Sequence, residues 1–299
     1  MSVLDDNEDS AEAVLNNAML YVLQEGLMLF KVENLLFPDL AKIRHHHEGA
    51  KEAFQTKLEK AVINLGGPPN PLIIDADDPL TGLDTYPTAA LKEMNAMFSR
   101  CRKSATKALM FYHGWEELRD KPELFKVDAR LAYCESAFWE NAETAYVRLA
   151  SYWDRVGQIF YFAFFKIRRF DKETFTNVMH QIHKEKALKS DALKSLPSWK
   201  TLFDYFKCED DNGLMWLLQR RNIIIHSLHL RARTPNVDQG FFQPIYNDLE
   251  GKFTFKLAPR TPVEEVDLIK MHLTKAATLY DDVLNIIEYS AEQQSSSAC

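Results

Sequence analysis

Apolar residues that return every third and fourth position from 128 to 168 constrain this chain more than any other feature. That period places apolar side chains along one side of a helix, and the helix must then bury them against other elements. The stretch carries Trp139, Tyr146, Tyr152, Trp153 and a run of phenylalanines. The same spacing recurs at residues 11–36, 50–65 and 88–119, the last with Gly114 as a possible break, and in shorter segments at 172–188 and 198–207. Only 10 of 299 residues are glycine, so few positions favour tight turns over helices.

Two regions interrupt the pattern. Residues 66–87 hold five of the chain's twelve prolines and read as a long loop. In "FFQPIYNDLEGKFTFKLAP" (241–259), "KFTFKL" alternates behind a turn-forming "NDLEG", which predicts a small β-hairpin. Thr261-Pro262-Val263-Glu264 then starts a last helix with proline in its first turn, running to about residue 290. The expected fold is all-α, a helical bundle with a small β-hairpin inserted before the last helix. Its expected organisation is an N-terminal helical extension at 1–120, the bundle at 121–290 and a disordered tail at 291–299.

A net charge of −7 argues against a surface that is basic throughout, though clustered arginines can still build a local basic groove. Cys101, Cys134, Cys208 and Cys299 are widely spaced, which suggests neither a disulfide framework nor a cysteine metal site. The acidic start "MSVLDDNEDSAEA" is unlike a signal peptide, and the greasiest window, 156–165, is short for a membrane span. A cytoplasmic protein is expected. No phosphate-binding G-x-x-x-x-G-K-[ST] loop, G-x-S-x-G elbow or H-E-x-x-H pair occurs, which disfavours the common nucleotide hydrolases, α/β-hydrolases and zinc proteases.

Against this acidic background, "LLQRRNIIIHSLHLRAR" (217–233) gathers Arg220, Arg221, Arg231, Arg233, His226 and His229. The helix that contains it is expected to start near "EDDNGLMW", with Asp210, Asp211 or Asn212 as its cap, and to end before Pro235. At 100° per residue, Gln219, Asn222, His226, His229 and Arg233 fall within about 80° of one another. Arg221 lies about 140° from His226, so one cleft uses both only if Arg221 reaches round or two copies of the helix contribute. On the 128–168 helix, Asn141, Thr144, Arg148, Tyr152 and Arg155 form a second narrow stripe, expected to face the first and to add cations for a phosphate.

Other polar clusters read more plainly. Adjacent histidines in "RHHHEG" (44–49) point about 100° apart on a helix, which predicts a solvated cluster and no metal site. His180 and His183 read as a surface pair, "DADD" (75–78) as a loop without calcium-loop spacing, and Met19, Met28, Met94 and Met97 as core.

Arg221-Asn222-Ile-Ile-Ile-His226 has the form R-N-x-x-x-H and resembles the signature of the HEPN superfamily, over roughly residues 125–290. The resemblance implies an all-α domain that acts as a metal-independent endoribonuclease, in toxin–antitoxin or phage-defence settings, without a cofactor. It implies that His226 acts as general base or acid, suited by an unperturbed pKa of about 6.5. Arg221 would stabilise the phosphorane, and Asn222 would orient His226 or bind substrate. Arg220, His229, Arg233, Arg148 and Arg155 become candidates for RNA contact. A homodimer with a composite site is implied, with an antitoxin or regulatory protein as a possible partner and no membrane. A non-catalytic domain that dimerises or binds RNA is the other reading within the same family.

Overall fold

The computed structural model describes residues 11–49, 86–119, 127–165, 174–226 and 260–296. These residues build an all-α fold, and no strand forms among them. The hairpin expected at 241–259, the helix at 50–65 and residues 66–85 of the expected loop lie outside the described residues, whereas Tyr86 and Pro87 already belong to the helix that follows.

In chain order the helices are α1 (Ala11–Leu36), α2 (38–49), α3 (Tyr86–Arg119), α4 (Val127–Phe165), α5 (Phe175–Glu185), α6 (Asp191–Ser195), α7 (Pro197–Lys207), α8 (Leu214–His226), α9 (Pro262–Thr278) and α10 (Tyr280–Ser296). One 3-10 turn, Ala187–Lys189, precedes α6.

The centre of the molecule is α4. From Tyr152 onward it is buried on nearly every side, which is how a helix apolar all round avoids water. It packs lengthwise on α3 and touches α5, α8, α9 and α10. Met94, Phe98, Cys101 and Leu109 of α3 and Ala142, Ala145, Tyr146 and Leu149 of α4 all lie in one buried core. Cys101 donates its thiol to the Ala145 carbonyl at 3.2 Å. Gly114 does not interrupt α3; it leaves room beside Cys134. Because α3 shares one core with α4, α9 and α10, the boundary expected near residue 120 does not separate it from the bundle.

The N-terminal helices join α3 through charge. Phe37, just before Pro38, leaves helical geometry, so the chain turns from α1 into α2. Glu33, 1% exposed, receives Arg44 of α2 at 2.7 Å, Arg102 of α3, and the Thr106 hydroxyl at 2.8 Å. Arg44 also lies over the Phe30 ring. This corrects the reading of "RHHHEG" as solvated. Arg44 and His47 face the core, His47 stacked on Phe98 at 4.0 Å, while His45, His46, Glu48 and Gly49 stay in water. The helical turn splits the run by direction. Met94 is buried as expected and Met97 partly so, but Met19 and Met28 are exposed; among the described side chains of α1, Leu29 and Glu33 alone are buried.

At its C-terminus the chain follows the expected start. Thr261 and Glu264 form a capping box, with Pro262 in the first turn of α9. The helix bends at Leu279 and continues to Ser296 with Ala291 buried, so residues 291–296 are helical and not a loose tail. Residues 297–299 lie outside the described range.

The cap of α8 is Gly213 and not Asp210, Asp211 or Asn212, since its carbonyl accepts the first helical bond, from Leu217 N–H at 3.2 Å. Gly213 N–H donates to the Asp210 carbonyl at 2.8 Å, and the turn folds back onto Cys208. A Cβ on Gly213 would overlap the Cys208 carbonyl group, which is backbone and cannot swing away. Gly213→Ala is expected to cost about 3 kcal/mol, the upper end for an overpacked site, read as a fall in the urea midpoint at unchanged m. A midpoint equal to wild type would mean that the turn is looser than described.

Candidate functional site

Helix α8 carries the R-N-x-x-x-H segment, and its two adjacent arginines part company. Arg220 is in step with Trp216 and Leu217, one turn earlier on the buried face, and is only 2% exposed. Its guanidinium contacts the Glu265 carboxylate of α9 and lies between the Tyr146 and Trp216 rings, 5.2 and 5.0 Å from their centroids. Tyr146 donates to the other Glu265 oxygen at 2.7 Å. Burial pushes the Glu265 carboxyl up, and Arg220, the Tyr146 hydroxyl and Arg260 pull it back. Arg220 is therefore a core group, which corrects its expected place at an RNA surface: its charge is spent on holding α8 to α4 and α9.

His272 completes this core. Its ring stacks on Trp216 at 5.7 Å, and its Nε2 lies 2.9 Å from the Asp211 carbonyl, an acceptor only. Nε2 must then carry the proton, and Nδ1 accepts from the Tyr205 hydroxyl at 3.0 Å. Burial lowers the His272 pKa from 6.5 to about 4, partly offset by the Asp211 carbonyl. The folded protein therefore binds this proton more weakly than the unfolded chain. The neutral imidazole's contribution is complete above pH 6.5 and is lost as the pH falls towards 4. Glu265 and Asp154, raised by burial, act in the opposite sense, so the effect is read by difference. Between pH 7 and pH 4, wild type should lose about 3 kcal/mol more unfolding free energy than His272→Gln. Parallel pH profiles would contradict a buried neutral imidazole.

Arg221, by contrast, is half-exposed. It donates from Nη1 to Asn222 Oδ1 at 2.9 Å, and its Nε is covered with no hydrogen-bond partner among the described residues. Asn222 is exposed, Ile224 packs on the core and Ile225 is 45% exposed, so the three isoleucines do not all clamp the helix. His226 is the last described residue of α8, five positions beyond Arg221 on the same helix. His229 and Arg233 lie outside the described residues.

Most of the α4 stripe bonds within α4 or to α3 and α9. Asn141 and Thr144 bond back to carbonyls of their own helix, at Ala137 and Glu140. Arg148 turns to α3, donating to the Arg100 carbonyl at 3.0 Å and the Ser104 hydroxyl at 2.9 Å. Tyr152 is fully buried and donates to the Ala276 carbonyl of α9. Arg148 and Tyr152 are thus joints between helices, because α4 is surrounded by partners and each polar group bonds to the nearest one. Arg155 donates to Gln158 Oε1 at 2.9 Å.

One α4 residue outside the expected stripe, Asp154, lies within electrostatic reach of Arg221. Burial raises the Asp154 carboxyl, while the Phe175 N–H, Arg221 and Arg155 draw it back down. Asp154 accepts from Phe175 N–H, at the first turn of α5, at 3.1 Å. The close approach needs Gly157, whose Cβ would lie 2.8 Å from Phe175 Cα. The group around Asp154 thus consists of Arg221 and Arg155 with the N-terminus of α5. In the sequence its signal was "WDRVGQ" (153–158), an aspartate with a glycine three positions on, within an apolar run.

No protein family, curated protein or solved structure matches the chain. Among the described residues, no group of three or more His, Cys, Asp or Glu side chains is placed to hold a metal ion, and no helix is long and apolar enough to cross a membrane.

Proposed function

We propose that the protein is a metal-independent endoribonuclease of HEPN type, with Arg221, Asn222 and His226 as its working residues. The observation that carries this reading is the split between the two arginines of α8. Arg220 is fixed in the core by Glu265, whereas Arg221 is half-exposed at the helix edge with Asn222 beside it. A rigidly seated helix that presents one guanidinium to a ligand suits a site that stabilises charge developing on phosphorus.

In this reading His226 takes the proton of a ribose 2′-hydroxyl, the 2′-oxygen attacks the adjacent phosphorus, and the bond to the 5′-oxygen breaks as that oxygen gains a proton. The products are a 2′,3′-cyclic phosphate and a 5′-hydroxyl. Arg221 neutralises the phosphorane, and Asn222 holds the guanidinium in place through its side-chain oxygen. The angular offset of Arg221 from His226 on one helix favours a homodimer, in which each site draws on two copies of α8.

The test is incubation of the purified protein with mixed single-stranded RNA in EDTA, with the product ends determined chemically. Cyclic phosphate ends at a rate unchanged by EDTA are expected. Intact RNA, or cleavage only with added metal, would overturn the reading and leave a non-catalytic binding domain.

A further inference from the structure

Residues 180–207 carry six lysines against three acidic residues, in a chain whose net charge is −7. All six lysines are exposed. The last turns of α5, α6 and α7 bring His183 and Lys184, Lys194, and Lys207 to this part of the molecule. Beneath them lies a ladder of rings. Trp199 stacks on Phe203 at 5.3 Å, His183 stacks on Phe203 at 4.4 Å, and Lys207 sits over the Phe203 ring at 4.7 Å.

The cations converge. Burial first, then Lys207, His180 and Lys194, hold the His183 pKa down, and no carboxylate is among the charges that act on it. Its Nδ1 is covered and has no hydrogen-bond partner among the described residues. No ion pair among those residues involves Lys184, Lys194, Lys200 or Lys207. A lysine in the last turn of a helix complements the macrodipole, which accounts for each cation singly. It does not account for an excess of six exposed lysines over Glu185, Asp191 and Asp204 beside one ring stack, which costs repulsion until an anion arrives.

We propose that this face of α5, α6 and α7 binds the phosphodiester backbone of single-stranded RNA, with Lys194 and Lys207 as the principal phosphate contacts and His180 and His183 beside them. The choice of RNA rests on the ribonuclease reading. Phe175, at the start of α5, bonds to Asp154, whose carboxyl feels the charge of Arg221, and His183 lies eight residues further along the same helix. That is about 12 Å along the helix. The surface supplies affinity and register, and the α8 motif supplies the chemistry.

The test uses a single-stranded 2′-O-methyl oligoribonucleotide, which lacks the attacking hydroxyl and stays intact, with binding read by fluorescence anisotropy across a salt series. Lys194→Glu/Lys207→Glu is compared with Lys42→Glu/Lys103→Glu, on α2 and α3, after matching thermal midpoints. The first pair should bind at least about tenfold more weakly, and its log K against log salt should flatten by about 1.4 for two lost phosphate contacts. The control pair should stay within about twofold of wild type. Equal losses in both pairs, no loss in the first, or no binding by wild type at low salt would overturn the surface. Binding to phosphatidylserine vesicles that depends on Lys194 and Lys207, with RNA binding unaffected by them, would also overturn it. Wild type that cuts natural RNA while the first pair binds normally defeats this surface and spares the nuclease reading. Lysine-dependent binding without cleavage of natural RNA does the reverse.

Discussion

Glu265→Ala should lower the stability of the protein by about 3–5 kcal/mol, among the largest losses that one side chain can cause here. The change leaves the Arg220 guanidinium enclosed between Tyr146 and Trp216 without its carboxylate. It also deprives the Tyr146 hydroxyl of its acceptor. The cost is that of a cation kept out of water with its counter-charge removed, and it exceeds what the intact pair contributes over an apolar substitute. Thermal unfolding should show a midpoint lowered by roughly 6–15 °C. Arg220→Met/Glu265→Leu should recover most of the loss, since it removes both charges together. A single variant within about 1 kcal/mol of wild type would show that water reaches Arg220.

His226→Ala and Arg221→Ala should remove most RNA cleavage while leaving the fold in place. Loss of a general base or acid costs about 10²–10⁴ in rate, and loss of a fixed donor to developing charge about 10²–10³. Arg221→Lys should fall between Arg221→Ala and wild type, because lysine keeps the charge and loses the planar pair of donors. Thermal midpoints should stay near wild type for the Arg221 variants, since that side chain is half-exposed and bonds to its neighbour Asn222. Cleavage by His226→Ala at the wild-type rate would place the activity elsewhere or in a contaminant. This outcome is distinct from that of Glu265→Ala, where activity and fold should fall together.

Two neighbouring arginines therefore have opposite expected phenotypes, and the difference was half visible in the sequence. Arg220 follows Trp216 and Leu217 by four and three positions, which sets it on the apolar face. Glu265 stands in step with Ile269, His272 and Ala276 on the buried face of α9. A cation and a carboxylate each on an apolar face imply a buried pair. What periodicity does not give is that these two faces meet, 45 residues apart in the chain. The same limit explains the α4 stripe. Asn141, Thr144, Arg148, Tyr152 and Arg155 do share one angular sector, but a sector says nothing about what stands opposite, and α3 and α9 took Arg148 and Tyr152. Asp154 escaped notice because its partner, the Phe175 N–H, is a backbone group that any residue supplies.

By itself the sequence determined that the chain is helical and where most of its long helices run, because 3.6-residue spacing, proline and capping residues act within a turn or two of chain. The Thr261–Glu264 capping box and the buried length of α4 were readable on that ground. Tertiary structure alone decided which charges were enclosed and with whom: Arg44 and Arg102 on Glu33, Arg220 on Glu265, and a neutral His272 against Trp216. The reason is physical. Helix formation depends on neighbours in sequence, whereas the state of an ionisable group depends on the dielectric and the counter-charges around it, and packing brings those from distant parts of the chain.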